Sequence, residues 1–509
     1  MTSSLLLALS ALLLYSAFPI YSFWPAAFVA FIPLLQAIER AQNPKTAFKA
    51  GFIWGLFFFS MLLWWLVPTI STYGKIHYLL AIPVVLCLCC YLAIYPSIWA
   101  FYVKKLFLSK RYGLETALAA SCCWIVLEAI RSILLSGFPW GLLAYTLTPV
   151  PVLIQSADLW SVYGVGFLII FFNVALFEAS HILRAGPKKK GISWPFITLS
   201  AVTAAILGIY FLYGFATLPQ DPKPSIRVAA VQAAIDQNRK WAPELTRFTV
   251  DTYIHLSQKA MKSHPDLKLV VWPETAMPFY FQENSLVKQQ VLEFARKNGL
   301  YILLGSPSYT YTQEGKPRYL NSAYIIGPDG TVLGRYDKNH LVPFGEYMPW
   351  GKLTSWARRF LPTAGDFVPG NNLSPLKAGP FKIGTMICFE SIFPEIARKE
   401  VIAGANLLAV ITNDAWFGRT AAPWQHADMA VFRAVETRRW IIRAANTGVS
   451  RIISPKGEVI VNSHLFCPEF VSALINLNKK QTLYVRYGSM WFVAINLLIV
   501  IFSFYRIKN

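Results

Sequence analysis

Eight long apolar runs and one stretch of short alternating ones divide this chain. The long runs fall at about 4–21, 24–39, 51–69, 77–103, 116–136, 160–183, 194–217 and 488–505. A helix needs ~20 apolar residues to cross the hydrocarbon layer of a bilayer, and most of these runs reach that length, 24–39 being the shortest. The pattern predicts a transmembrane domain of seven spans over 1–217 and an eighth transmembrane helix at 488–505. No small-residue cleavage site follows the first run, so it is expected to be retained.

After 217 the rhythm changes. Pro219, Pro222 and Pro224 mark a stiff linker over 218–224. From 225 to 480, buried-strand patterns alternate with amphipathic helical ones. Strands are expected at 226–232, 267–272, 301–305, 321–326, 381–387 and 407–412, and helices at 243–263, 285–298, 392–403 and 426–440. Residues 321–336 read as a hairpin turned by Pro328-Asp329-Gly330. The expected fold class is a multi-pass α-helical membrane domain joined to a layered α/β domain.

Composition supports the membrane reading: 55% of residues are hydrophobic and 14% charged, against about 25% charged in soluble domains. The basic residues then orient the spans. Arg40, Lys45 and Lys49 fall in one connection, Lys104, Lys105, Lys110 and Arg111 in another, and Arg184 with Lys188 to Lys190 in a third, while the alternate connections are nearly bare. Basic loops stay cytoplasmic, so both termini are expected in the cytoplasm and 218–487 in the periplasm of a bacterial inner membrane. The net charge is +21, and 221–480 supplies +10 of it (31 Lys/Arg against 21 Asp/Glu). That balance suits a domain lying on anionic phospholipid. Without a basic run interleaved with aromatics or a nucleic-acid motif, no nucleic-acid partner is expected.

Three motifs carry candidate chemistry: V-V-W-P-E (270–274), Y-D-K-N-H-L-V-P-F-G-E (336–346) and I-C-F-E (387–390). Glu274 ends a buried strand, where a partly desolvated carboxylate can deprotonate a thiol. Lys338 lies in a loop after a strand end, where an ammonium can lower a thiol pKa and stabilise an oxyanion. Cys388 ends an apolar strand at a turn that exposes its side chain, and the Phe389 N–H is placed to join an oxyanion hole. Alone, each has an ordinary alternative: a helix cap, a solvated charge, an inert core thiol. Together they are the base, oxyanion partner and nucleophile of acyl transfer through a thioester. The seven cysteines suggest no disulfide framework, and a Cys388–Cys467 bridge would consume the nucleophile.

These motifs resemble those of the nitrilase, or carbon–nitrogen hydrolase, superfamily from Ser225 to about Lys480. With the preceding spans, G-F-P-W (137–140), Q-S-A-D-L-W-S-V-Y-G-V (155–165) and the closing span, the chain is similar over nearly its full length to the bacterial apolipoprotein N-acyltransferases. The resemblance implies an αββα sandwich and a Glu274-Lys338-Cys388 triad. It implies a ping-pong reaction in which Cys388 takes an acyl chain from a phospholipid, typically phosphatidylethanolamine. The amine of a diacylglyceryl-cysteine on an apolipoprotein then receives it. No cofactor and no metal are implied, and a monomer is expected. Trp241 matches a functionally important Trp, and Glu346 and Glu390 match carboxylates that fix Lys338 and the base. Phe389 stands where the family often has Tyr, which preserves aromatic packing without a hydroxyl.

A lipid substrate also follows from aromatic patterning. Three loops near the triad look exposed: Met277 to Phe281 with Phe279, Tyr347 to Leu361 with Trp350, Trp356 and Phe360, and Trp416, Phe417 and Trp424. Such surfaces suit a bilayer interface, and they are expected to form a lid and an acyl-chain groove; ordinary core packing is the alternative. Glu128 and Arg131, three apart on one span, are expected as a structural ion pair. His426 is expected to orient backbone near Asn413 and Asp414. Two other functions compete. A tethered amidase would need one span rather than eight, and a receptor or transporter would not need an intact triad.

Overall fold

The computed structural model describes residues 2–109, 113–184, 194–218, 225–349 and 366–508. The linker prolines, Lys110, Arg111, Lys188 to Lys190, Trp350, Trp356 and Phe360 lie outside the described residues. The chain divides into two units, Met1–Pro68 with His77–Pro219 and Tyr487–Asn509, and Thr69–Ile76 with Gln220–Arg486.

Each long apolar run is helical. The elements are α1 (Ser3–Ala17), α2 (Phe31–Arg40), α3 (Pro44–Leu62), α4 (Leu66–Gly74), α5 (Tyr78–Leu108), α6 (Leu114–Arg131), α7 (Pro151–Ile154), α8 (Ala157–Arg184) and α9 (Trp194–Thr217), with α15 (Met490–Lys508) closing the chain. Among the described residues, four helices are long and apolar enough to cross a membrane: Tyr78–Leu108, Ala157–Leu183, Trp194–Thr217 and Met490–Ile507. The pair α3 and α4, bent by 57°, makes a fifth if it is one span. The other expected spans fall short for separate reasons. α1 has 15 residues, α2 has 10, and α6 carries Glu115, Glu128 and Arg131.

Glu128 and Arg131 each bind the loop that follows α6. Arg131 Nη1 donates to the carbonyls of Phe138 (2.9 Å) and Trp140 (2.7 Å), and Nη2 to that of Gly141 (3.5 Å). Glu128 Oε1 accepts from the Leu143 N–H at 3.0 Å. The expected pair is thus a device that satisfies the backbone of the G-F-P-W segment. Buried non-helical backbone requires such partners.

The second unit is built on two six-stranded sheets. Strands β1 (Ile226–Gln232), β2 (Leu267–Val271), β3 (Tyr301–Tyr311), β4 (Pro317–Ile326), β5 (Val332–Asp337), β6 (Leu376–Ala378), β7 (Phe381–Ile387), β8 (Leu407–Thr412), β9 (Ile441–Ala445), β10 (Arg451–Ile453), β11 (Val459–Asn462) and β12 (Glu469–Ile475) run in the orders β12-β1-β2-β3-β4-β5 and β11-β10-β9-β8-β7-β6. Helices α10 (Thr246–Ser263), α11 (Leu286–Asn298), α12 (Pro394–Ile402), α13 (Ala422–Thr437) and α14 (Leu483–Tyr487) complete it.

Alternation along each strand decides which layer a side chain joins. Val228, Ala230, Leu269 and Val271 pack with Ile383, Ala409, Ile411 and Ile442 of the other sheet. Ala229, Val231 and Val270 turn outward to pack with Val250, Ile254, Val291 and Phe294 of α10 and α11. On the second sheet, α12 lies so close to β7 that a Cβ at Gly384 would meet the Glu400 Cβ at 2.9 Å. The result is the expected αββα sandwich. The hairpin around Pro328-Asp329-Gly330 joins β4 to β5 as expected. The sequence pattern did not predict β6 and β9 to β12. Several of these are short, and β9 and β10 are buried throughout, so they show no polar–apolar alternation.

Candidate active site

The ends of β2 and β7 and the loop after β5 bring Glu274, Lys338 and Cys388 together. Each of the three acts electrostatically on the other two, and all are buried. The backbone around them is held in unusual shapes. Cys388 sits at φ 53° and Thr275, just after the carboxylate, at φ 47°. For residues other than glycine this left-handed region is strained, by about 1–3 kcal/mol each, and it persists only where the surroundings enforce it. At Gly305 a side chain is excluded: a Cβ there would lie 2.6 Å from the Thr275 nitrogen and 2.7 Å from the Glu274 Cα. β3 can therefore press directly against the Glu274 turn.

Fixed donors hold the Glu274 carboxylate. Asn321 Nδ2 donates to Oε1 at 2.7 Å and the Asn413 N–H to Oε2 at 2.8 Å. Lys338 Nζ donates to Glu346 Oε1 at 2.8 Å, and its main chain is pinned on both sides, donating to the Asn321 carbonyl and accepting from the Gly370 N–H, each at 2.8 Å. Burial alone would lower the Lys338 pKa, but Glu346, Glu274 and Cys388 raise it above its ordinary value, so the ammonium stays charged. For Cys388, burial comes first and Glu274 second, both raising the thiol pKa, and the opposing Lys338 does not offset them. Lys338 thus lowers the thiol pKa, as expected, without offsetting burial and Glu274, so Cys388 rests as a thiol.

Glu346 holds Lys338 as expected, and its other oxygen accepts from the Val342 N–H at 2.8 Å. Glu390 works through backbone. Its carboxylate accepts from the N–H groups of Asn339 (2.7 Å), His340 (3.1 Å) and Ile387 (2.7 Å) and from the Tyr336 hydroxyl (2.9 Å). It thus ties the Lys338 loop to the Cys388 turn, with no hydrogen bond to Glu274. Burial raises its pKa to about 7, against the lowering effect of these donors and Lys338. The Phe389 ring packs edge-on against Phe393, with centroids 5.2 Å apart.

His426 is directed at the Cys388 carbonyl rather than its thiol. Nε2 lies 3.1 Å from that oxygen and 3.0 Å from the Ser391 hydroxyl, and Nδ1 lies 3.0 Å from Asp414 Oδ1. Burial followed by Arg443 lowers the imidazole pKa. Burial would raise Asp414, but Arg443 and His426 bring it to about 2.

The aromatic loops divide. Met277 and Phe281 are fully buried core residues and Phe279 packs against the same core, which corrects the reading of that loop as exposed. Trp416 is 38% exposed, with its ring edge-on to Tyr73 at 4.7 Å, and the Tyr73 hydroxyl donates to the Ala415 carbonyl at 3.1 Å. Phe417 lies edge-on to His426 at 6.0 Å. Trp241 is 52% exposed. Sequence reasoning missed Lys240, Asn321 and Arg443, and named Asn413 and Asp414 only as neighbours of His426. The one available signal was adjacency, since Lys240 precedes Trp241 and Asn413-Asp414 ends a buried strand. Among the described residues, no group of three or more His, Cys, Asp or Glu is placed to hold a metal ion.

Comparison with known proteins places this arrangement. Residues 10–175 match the apolipoprotein N-acyltransferase N-terminal domain and residues 227–483 the carbon–nitrogen hydrolase domain. An apolipoprotein N-acyltransferase from Geobacter metallireducens is 40% identical over 489 residues, 96% of this chain and 92% of that one. The chain belongs to the apolipoprotein N-acyltransferase family. Relatives of the same name from Rhizobium leguminosarum bv. trifolii and Haemophilus ducreyi are 32% and 28% identical, covering 90% and 96% of this chain and 87% and 94% of theirs. A crystal structure of a carbon–nitrogen hydrolase from Helicobacter pylori G27 shares 20% identity and covers 52% of this chain and 94% of that one, with a TM-score of 0.38. The family's membrane character accords with the apolar helices described above.

Proposed function

We propose that this protein is a membrane-embedded acyltransferase that moves an acyl chain from a phospholipid, through a thioester on Cys388, to the N-terminal amine of a diacylglyceryl-cysteine apolipoprotein. The observation that carries this reading is the buried cluster of Glu274, Lys338 and Cys388 in a chain whose remaining half is apolar helix.

Glu274 takes the proton from the Cys388 Sγ, and the thiolate attacks the ester carbonyl of the phospholipid. The oxyanion is met by the Lys338 ammonium and by the Phe389 N–H, which lies in the first turn of a 3₁₀ helix where N–H groups lack an intrahelical partner. Collapse breaks the ester bond, and the departing lysophospholipid oxygen receives the proton from Glu274. The acceptor amine then attacks the thioester and gives its proton to Glu274. The C–S bond breaks, the amide forms and the thiolate is reprotonated. In this reading Trp241, Glu346 and Glu390 support the reacting groups, and Trp416 and Phe417 contact the lipids. The protein works as a monomer in the inner membrane with both termini cytoplasmic, the orientation that its basic loops favour. Phosphatidylethanolamine is the favoured donor.

The test is intact-protein mass spectrometry of the purified protein with phosphatidylethanolamine. A fatty-acyl mass gain, released by hydroxylamine and missing in Cys388→Ala, is expected. Folded protein in lipid that gains no mass would refute the thioester, and a thioester that only water can discharge would refute the acceptor.

A further inference from the structure

Lys240 is a second buried ammonium beside Glu274, and the reaction described above gives it no part. Its side chain is fully buried, yet Nζ donates to two uncharged acceptors, the Thr275 hydroxyl at 2.7 Å and the Glu274 main-chain carbonyl at 3.3 Å. Burying an ammonium without a hydrogen-bonded carboxylate is costly, so the site must return something for it. The turn it grips is the strained one, with Thr275 at φ 47°. The same short segment reaches the base by a second route. Gln237 Oε1 accepts from Asn413 Nδ2 at 2.6 Å, and the Asn413 N–H donates to Glu274 Oε2.

We propose that Lys240 is a positioning residue that clamps the Glu274–Thr275 turn and so keeps the Glu274 carboxylate aimed at Cys388. The inference rests on Glu274 being the base of the proposed reaction. The ionisable groups acting on the cluster are Lys338, Lys240 and Cys388, with Asp414 acting on Cys388 and Glu346 on Lys338. Glu346 also shares the Asn321 donor with Glu274, and the Asp236 carbonyl accepts from the Lys240 N–H. Lys338 is already bonded to Glu346. Lys240 makes no such bond, and its charge is left to act on Glu274. Burial lowers the Lys240 pKa to about 7, and Glu274 opposes that shift.

The test follows Cys388 alkylation by iodoacetamide in the full-length protein, read by intact mass from about pH 5 to about pH 10, where thiolate formation sets the rate. No acyl donor is present, so lipid specificity does not enter. Lys240→Met is expected to slow alkylation about tenfold near neutral pH, with Lys240→Arg keeping the wild-type rate. Thr275→Val, which removes one of the two acceptors that Lys240 grips, is expected to slow alkylation about threefold. Folded Lys240→Met that alkylates at the wild-type rate overturns the proposal. If Lys240→Met does not fold, wild-type alkylation in Thr275→Val overturns it and slowed alkylation supports it. Glu274→Gln separates the two levels: an unchanged profile there removes the base itself, whereas a changed one beside an unmoved Lys240→Met profile removes only the clamp.

Discussion

The helical unit and the sandwich both bury charged side chains, and they use them differently. In the helical unit Arg131 and Glu128 are tied to main-chain groups of one loop, and Asn173 likewise accepts from the Phe31 N–H and donates to the Ala27 carbonyl. Where water is absent, unsatisfied backbone is the large cost, and polar side chains are placed to remove it. In the sandwich Glu390 is likewise tied to main chain, but other charges face one another: Lys338 with Glu346, Arg443 with Asp414, and Glu274 among Lys338, Lys240 and Cys388. Pairs of that kind are poor sources of net stability but strong setters of protonation state. Burial serves structure in the first region and reactivity in the second.

That contrast can be broken at several points. The largest effect is expected from Glu274→Gln, which keeps the shape and removes the base. Acyl-enzyme formation should fall on the order of a thousandfold in quenched mass spectrometry. Glu346→Gln releases Lys338 from its anchor and should cost about a hundredfold in the same assay. Arg131→Leu strips partners from three carbonyls in the helical unit. It should lower stability by about 3 kcal/mol in detergent melts and leave the pH profile of Cys388 alkylation in place. A moved profile would show that the two uses of charge are not separate. The smallest effect sharpens the comparison from the other side. Glu400 is a buried carboxyl in the sandwich whose oxygens find no hydrogen-bond partner among the described residues, and burial followed by Glu390 raises its pKa to about 9. The folded protein therefore keeps a proton that the unfolded chain has released. That contribution is whole below about 4.5 and is lost as pH climbs to about 9. Glu400→Gln should gain about 2 kcal/mol over wild type near pH 8 and nothing near pH 4, read by thermal melts across pH.

Much of this was legible in the sequence. The meeting of Glu274, Lys338 and Cys388 was readable because each closes a short apolar strand or its flanking loop, so identity and placement sit in the same few residues. The αββα layering was readable once resemblance was admitted, and β1, β7 and β8 lie where their patterns put them. What escaped has a common cause. Asn321, Asn413 and Lys240 serve Glu274 from 47, 139 and 34 residues away, and polar residues at strand ends or in turns look alike in sequence whether they meet water or a buried carboxylate. The Met277 to Phe281 loop was misread for the same reason. An aromatic run beside a site can line the surface or complete the core, and only the packing of α11 and β3 makes it core.

The sequence alone determined where apolar helix gives way to layered sheet, and which base, ammonium and thiol the chain carries, because periodicity and motif act over a few residues. Tertiary structure alone decided that burial raises the Cys388 thiol pKa, that Glu390 bridges two loops through backbone N–H groups, and that Lys240 lies beside the Glu274 turn. Those are properties of burial and of the field from charges distant in sequence, and they exist only once the two sheets have closed on each other.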